Sequence, residues 1–190
     1  MSIDRRSLIV EAANKSFALF GYKGTTMDQV AKIANVGKGT IYTFFSNKEE
    51  LFQEVLNRLL MEMKLATEQV MNQQLSFFDA LSDALDILLE FRKQHELALK
   101  LTQEVREIGT PMANEAIQQI EKLIIDHIAS KIEHAMARNE IKRCDPQLTA
   151  FIILRLYMAL AVEWNQKKVL EKSEVAKQLR FYLESGLALK

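Results

Sequence analysis

Apolar residues recur at intervals of three and four along almost the whole chain, which is the spacing of helices with one buried face. The pattern predicts a first helix over about residues 4–20, two short helices on either side of residue 35, and a long fourth helix through about residue 72. Further helices are predicted over about residues 76–93, 95–107, 111–138, 146–167 and 174–188. No stretch shows the strict alternation of a half-buried strand, so the predicted fold class is all-α.

Capping residues mark the predicted starts of the helices. Thr26 with Gln29, and Ser46 with Glu49, have the spacing of the capping box. Thr110 and Asp145 each precede a proline, which is favoured at the first position of a helix. In the first helix the predicted buried stripe consists of Leu8, Ala12, Ala13, Phe17 and Phe20, and Gly21 is the predicted stop.

The two short helices have the arrangement of a helix-turn-helix unit. Asn35 lies in the turn, where a left-handed residue is needed and Asn is well tolerated. The residues expected to form the small core of this unit are Ala31, Ile33, Val36 and Ile41. In such units the second helix, here about 37–44, lies in the major groove of DNA.

The start of that second helix carries the candidate chemistry. Gly37 and Gly39 remove side-chain bulk from a helix N-terminus, whose free N–H groups favour a phosphate. Lys38 between them is free to reach a guanine edge or a phosphate. The hydroxyls of Thr40 and Tyr42, and the ammonium of Lys48, are suited to phosphate oxygens. A nucleotide-binding loop is excluded, because no strand precedes the glycines and their spacing is not G-x-x-x-x-G-K-[ST].

Charge supports a DNA-binding role for the front of the chain only. The whole chain has a net charge of zero, but residues 1–48 hold seven basic and three acidic side chains, which leaves residues 49–190 with a net charge of −4. A positive front quarter is what a protein needs if that part alone touches an anionic partner.

Enzymatic and metal-binding functions find no support in the sequence. The single Cys144 has no histidine near it, and none of the three histidines has a glutamate three residues before it. The motifs G-x-S-x-G and H-E-x-x-H are absent from the sequence as well. We therefore expect no catalytic residues, no metal and no cofactor. With no signal peptide, no apolar run of about 20 residues and one cysteine, the chain is expected to be cytoplasmic, with no membrane partner.

The stretch GYKGTTMDQVAKIANVGKGTIYTFFSNKEELF, residues 21–52, resembles the N-terminal signature of the TetR/AcrR family of transcriptional regulators. The resemblance implies an all-α homodimer that binds DNA through residues 1–48 and a small-molecule effector through residues 49–190. It also implies a set of residues that contact DNA, namely Thr26, Lys38, Thr40, Tyr42, Thr43 and Lys48. Asn35, Gly37 and Phe44 depart from the usual Gly, Ser, and His or Tyr of the family.

Residues 148–164 are apolar on nearly every face of the predicted helix, which suggests that a second subunit covers it. We expect a homodimer through the helices at about 146–167 and 174–188, which would hold two recognition helices about one DNA turn apart on a palindromic operator. Arg155 in this region either binds an acidic ligand or pairs with Glu163 or with a carboxylate of the partner.

The effector is expected to be small and hydrophobic, although its identity stays open. The residues predicted to line its pocket are Met61, Phe78, Phe91, Phe151, Arg155, Tyr157 and Trp164. The preferred function is a repressor released from double-stranded DNA by this effector, and an activator is the alternative within the same class. A helical adaptor without regulated DNA binding is the alternative from another class.

Overall fold

The computed structural model of the chain describes residues 4–68, 76–164, 167 and 170–187. All regular elements in these ranges are helices, which confirms the predicted all-α fold class. They are α1 Arg5–Gly24, α2 Met27–Ile33, α3 Lys38–Phe44, α4 Lys48–Glu68, α5 Phe77–Gln94, α6 Glu96–Glu107, α7 Pro111–Ala137, α8 Pro146–Met158, a π-helical turn Ala159–Glu163 and α9 Lys172–Leu187.

The predicted helix boundaries agree with these elements, with local differences. The helix predicted over 146–167 is α8 followed by the π-helical turn, and its predicted end lies partly outside the described residues. The predicted end of the fourth helix near residue 72 also lies outside them. Thr26–Gln29 is a capping box, and Asp145 accepts the N–H of Leu148 at 3.0 Å, both as predicted.

The capping box predicted at Ser46 and Glu49 is wrong by one residue. The Asn47 side chain accepts the N–H of Glu50 at 2.7 Å, and the Glu50 carboxylate accepts the N–H of Ser46, also at 2.7 Å. Asn is as good an N-cap as Ser, so the two positions cannot be ranked from residue type alone.

The chain divides into two compact units. The first contains Met1–Met63 and Phe91–Gln119, and the second contains Lys64–Glu90 and Ile120–Lys190. The division falls inside α4, α5 and α7, and it places α6 with the front helices. The division predicted after residue 48 concerns which residues bind DNA and which bind an effector, and it stays a prediction.

In the first unit, α1 packs most extensively against α6. Its buried face contains three residues of the predicted stripe, Ala12, Ala13 and Phe17. The prediction was wrong at Leu8 and Phe20, which are exposed, whereas Ile9 and Val10 are buried. It was wrong there because α1 carries apolar residues on more than one face, and the spacing alone did not decide which of them are covered.

The end of α1 contains a sharp kink at Gly21, with φ 74° and ψ 177°. This region of backbone conformation is open essentially to glycine only. The chain then forms a further turn. In it the centre of the Tyr22 ring lies 6.1 Å from that of Phe17 and 5.0 Å from that of Phe52. We refer to residues 21–25 as the kink segment, because they carry the chain from α1 to the cap of α2.

The second unit has its own apolar core, which α5, α7, α8 and α9 share. Tyr157 is buried in it, and its hydroxyl hydrogen-bonds to Asp86 at 3.1 Å. Burial raises the pKa of this phenol, and the Asp86 carboxylate raises it further. The buried side chains of this core include Phe77, Leu81, Leu85, Ile128, Ile132, Ile153, Leu179 and Leu183.

One face of α8 in this unit is apolar and exposed, as Leu148, Phe151 and Ile152 show. By length and composition alone, Pro146–Glu163 could span a membrane, although no apolar run of about 20 residues was identified in the sequence. The core helix of a soluble protein has the same length and composition. The side chain of Arg155 is half exposed rather than buried, and it pairs with Glu121 at 2.8 Å instead of Glu163. The Arg155 guanidinium also lies 5.1 Å from the ring centre of Phe151.

Gly21→Ala tests the kink. The substitution is expected to lower the free energy of unfolding by about 1–3 kcal/mol, because alanine is strained in this conformation. A methyl group there would also overlap the Glu104 carboxylate. Urea unfolding at fixed protein concentration measures the change.

The matched control is Gly39→Ala, because the added methyl would meet nothing within 4 Å. We expect this variant to be at least as stable as the parent, since alanine is the better helix former. Equal stabilities of the two variants would contradict the constraint at Gly21.

Candidate nucleic-acid interface

A short turn of defined backbone geometry joins α2 to α3. Asn35 has φ 53°, the left-handed conformation predicted for it. The N–H of Val36 bonds to the carbonyl of Ala31 at 3.0 Å, and the N–H of Asn35 bonds to that of Lys32 at 3.2 Å. This pair of bonds is the Schellman motif, which ends α2 and fixes the direction in which α3 begins.

The small core beneath this turn differs from the prediction at one position. Ala31 and Ile41 are buried as predicted, and Val36 is half-buried, but Ile33 is exposed. Val30 takes the position of Ile33 and is fully buried. Ile33 is the last residue of α2, and its residue type and spacing do not reveal that this position is exposed.

The N-terminus of α3 is bare. Gly37 is the N-cap and makes no side-chain hydrogen bond, while its carbonyl accepts the N–H of Thr40 at 2.9 Å. A methyl at Gly37 would meet only the Thr40 hydroxyl at 3.7 Å, and one at Gly39 would meet nothing within 4 Å. Packing inside the chain therefore requires neither glycine.

Lys38 is exposed and has a carboxylate partner on α2. Its ammonium lies 2.9 Å from Asp28, and this hydrogen bond raises the pKa of Lys38 above its ordinary value. A phosphate or base that binds Lys38 has to compete with Asp28. Both side chains are well hydrated, so the exchange of partners has a low barrier.

The hydroxyl-bearing side chains predicted to contact DNA have different environments. Tyr42 is exposed on α3, with its hydroxyl open to a partner. The Thr43 hydroxyl donates to the carbonyl of Thr40 at 2.6 Å, and the Thr26 hydroxyl belongs to the cap of α2. Tyr42 and Thr40 are thus the better placed of the four to bind phosphate oxygens.

Lys48 has internal partners. Its ammonium donates to the carbonyls of Tyr22 at 2.9 Å and Thr25 at 3.1 Å, and it lies 4.2 Å from the centre of the Tyr22 ring. The Tyr22 hydroxyl donates to Glu49 at 2.6 Å, which lowers the pKa of that carboxyl. Lys48 therefore supports the kink segment, and its predicted phosphate contact would have to use the remaining N–H.

Phe44 points away from the core and is exposed, whereas the adjacent Phe45 is buried. The Arg6 guanidinium lies 5.2 Å from the Phe45 ring centre and pairs with Glu54 at 2.9 Å. The hydrogen bond from Arg6 lowers the pKa of Glu54. This link between α1 and α4 was missed in the sequence, because its two residues are 48 positions apart.

The residues predicted to line an effector pocket do not all lie together. Tyr157 belongs to the core of the second unit and Phe78 packs against that core, whereas Phe91 belongs to the first unit, where its ring centre lies 3.6 Å from that of His95. Three of the others, Met61, Phe151 and Trp164, are exposed. Among the described residues no group of three His, Cys, Asp or Glu side chains could hold a metal ion.

The described geometry defines a helix-turn-helix protein whose second short helix presents a bare N-terminus, a lysine and a tyrosine to the outside. The family model "Bacterial regulatory proteins, tetR family" matches residues 9–55, which contain all of these elements. The HTH-type transcriptional regulator YhgD of Bacillus subtilis (strain 168) is 53% identical to the chain over 189 residues, covering 99% of each.

Two further relatives agree with this match. The HTH-type transcriptional regulator RutR of Escherichia coli (strain K12) is 26% identical over 149 residues, covering 78% of this chain and 70% of RutR. A TetR transcriptional regulator from Chloroflexus aurantiacus J-10-FL has the same fold, with a TM-score of 0.74 over 98% of each chain at 19% identity. The chain belongs to the TetR family of DNA-binding transcriptional regulators, which are not enzymes.

Lys48→Ala separates the two roles of Lys48. We expect it to lower the free energy of unfolding by about 1–2 kcal/mol, because two carbonyls lose a charged donor. Tyr42→Ala removes an exposed side chain and should leave stability within about 0.5 kcal/mol of the parent. Thermal and urea unfolding measure the stability of both variants. If Lys48→Ala is as stable as the parent, Lys48 does not support the kink segment, and the phosphate contact is its remaining role.

Proposed function

We propose that the protein is a cytoplasmic homodimeric repressor that binds a palindromic operator and leaves it when a small hydrophobic effector binds. The observation that carries the proposal is the start of α3, where Gly37 and Gly39 leave space that the chain itself does not use. Duplex DNA is a partner that requires this space, because helix N-termini bind phosphates at close range.

Specific contacts follow from the same surface. Lys38 is the candidate reader of a guanine, and it would leave Asp28 to reach the major groove. Tyr42 and Thr40 would bind backbone phosphates, and Thr26, Thr43 and Lys48 would contribute contacts at the edges of the site. Phe44 cannot donate to a phosphate, but its exposed ring suits the methyl group of a thymine.

The exposed apolar residues of the second unit support a homodimer. Leu148, Phe151 and Ile152 on α8 are accompanied by Phe181 and Tyr182 on α9, all of them exposed. A soluble protein seldom leaves so many large apolar side chains uncovered on neighbouring helices. The same surface on a second copy would cover them by twofold symmetry and form a four-helix interface.

The second unit is also the candidate effector site. Phe78 packs against its core, to which the buried Tyr157 belongs, and the Tyr157–Asp86 hydrogen bond supplies a polar group within apolar surroundings. Such a combination suits a ligand that is mostly apolar with one polar group. The other predicted ligand contacts in this unit are Phe151, Arg155 and Trp164. Met61 and Phe91 belong to the first unit, and their predicted ligand contacts rest on the sequence alone.

Release by an effector requires that the effector distinguish two states of the protein. Changing the DNA-bound fraction from almost all to almost none takes about 5.5 kcal/mol of differential binding. Burial of a hydrophobic ligand of moderate size provides energy on this scale, at about 25 cal/mol per Å² of apolar surface, when the ligand is buried only in the released state. An activator, whose effector would favour the DNA-competent state, stays the alternative within the same class.

Capture of genomic DNA tests the operator. Purified protein is mixed with fragmented host DNA at about 100 mM salt, a concentration at which nonspecific phosphate contacts are already weakened. The retained fragments are sequenced, and we expect a few sites that share an inverted repeat. Tyr42→Ala should lose this enrichment because it removes a phosphate contact from each recognition helix.

The control is Glu133→Ala, which removes an exposed side chain from α7 and should retain the same fragments. No enrichment by a parent protein that is verified to be folded and dimeric would refute the repressor and favour the helical adaptor. Enrichment of sites without an inverted repeat would leave DNA binding in place but contradict the palindromic operator.

Ile152→Glu tests the interface. A charge placed in the centre of the exposed apolar face of α8 should convert the dimer to a monomer, because a buried unpaired carboxylate costs several kcal/mol. Sedimentation velocity measures the assembly state. Leu19→Glu, at an equally exposed apolar position on α1, should remain dimeric; dissociation of both variants, or of neither, would place the interface elsewhere.

A further inference from the structure

Glu104 is a buried carboxylate in the last turn of α6, with 4% of its surface exposed. Its Oε2 accepts the N–H of Tyr22 at 2.6 Å, and its Oε1 accepts the N–H of Lys23 at 3.2 Å. A carboxylate removed from water is costly unless donors surround it. Here the donors are two consecutive backbone amides of the kink segment, about 80 positions earlier in the chain.

Glu104 also binds the corner between α6 and α7. Its Oε1 accepts the hydroxyl of Thr110 at 2.7 Å, and Thr110 is the residue that caps α7. The carbonyl of Glu104 accepts the N–H groups of Ile108 and Gly109, both at 2.9 Å. One residue thus connects the α6–α7 corner with the end of α1.

The kink segment is held on its other side by α4. Lys48 occupies the carbonyls of Tyr22 and Thr25, while Glu104 occupies the N–H groups of Tyr22 and Lys23. Two N–H groups of the segment are therefore bound by a residue of α6, and two of its carbonyl groups are bound by a residue of α4. Thr26, the cap of α2, is the next residue, so the geometry of this segment determines where the helix-turn-helix unit begins.

Gly21 allows the carboxylate to come this close. Any side chain at position 21 would occupy the space of Glu104 Oε2. The kink at Gly21 and the burial of Glu104 are accordingly two parts of one arrangement, in which glycine supplies both the backbone conformation and the room.

We propose that Glu104 is a positioning residue for DNA binding, which sets the orientation of α2 and α3 from the α6–α7 corner. Displacement of that corner pulls on Tyr22 and Lys23 and moves the cap of α2. The positioning role requires only that the protein bind DNA. Its use by an effector rests on the function proposed above, since α7 begins at this corner and continues into the second unit.

Glu104→Gln tests the proposal with almost no change of volume. The amide keeps one acceptor but places an NH₂ group against a backbone N–H, so one of the two amides loses its partner. We expect the affinity for the captured operator to fall about tenfold, which corresponds to about 1.4 kcal/mol. The affinity for nonspecific duplex should stay unchanged, because the phosphate contacts are not altered.

The matched control is Glu107→Gln, which makes the same chemical change at an exposed position on the same helix. It should bind operator and nonspecific duplex as the parent does. A role limited to stability would lower the unfolding temperature of Glu104→Gln but leave the operator affinity of the folded protein unchanged, and that result would overturn the proposal.

Hydrogen exchange gives two further readouts, of which the first needs neither operator nor effector. In Glu104→Gln the amides of Tyr22 and Lys23, and those of α2, should exchange faster, while the Glu107→Gln protein should resemble the parent. By reciprocity, operator DNA added to the parent should slow exchange at Ile108 and Gly109. Unchanged exchange in both experiments would overturn the proposal.

The outcomes separate this proposal from the function above. If the parent captures no operator, the proposed repressor fails, and exchange at Tyr22, Lys23 and α2 alone decides whether Glu104 positions the module. If Glu104→Gln does not fold, Thr110→Val removes only the hydroxyl from the same carboxylate. We then expect a smaller loss of operator affinity in the same direction, and no loss would refute the link to the corner.

Discussion

The arrangement of the first unit depends on the contact between one carboxylate and two backbone amides. A kink interrupts helical hydrogen bonding, so the N–H groups of the turn that begins after it have no helical partners, and inside a protein these groups must find acceptors. Glu104 provides both acceptors for Tyr22 and Lys23, and Lys48 provides the donor for the carbonyls on the opposite side. These few bonds support the path of the chain from α1 into α2.

With this support, the helix-turn-helix unit has one set of side chains that holds the two helices together and another that faces outward. The buried side chains Val30, Ile41 and Phe45 keep α2 and α3 at a fixed angle. The described side chains on the outer surface of α3 make few contacts with the rest of the chain. Lys38 is the exception, and its exposed partner Asp28 is easily exchanged. A protein can bind DNA without losing its fold when a rigid set of helices presents side chains that the fold itself does not need.

Local signals in the sequence predicted much of this structure. Capping residues such as Thr26 and Asp145, and the left-handed Asn35, act through hydrogen bonds between near neighbours, so residue type and spacing are sufficient to identify them. Lys48 was assigned to phosphate, and Glu104 was not considered. The carbonyls that Lys48 binds and the amides that Glu104 binds lie 23 or more positions away, and no local pattern distinguishes a buried glutamate on a helix from an exposed one. The same limit applies to Arg155, whose partner Glu121 belongs to another helix.

The empty space around Gly39 has a consequence for substitutions at this position. A side chain added there would meet nothing within 4 Å, and almost any replacement would be a better helix former than glycine. Stability therefore places no barrier against change at this position. Any constraint on it comes from the partner that approaches α3, so a substitution there changes the proposed DNA contact without a cost to folding.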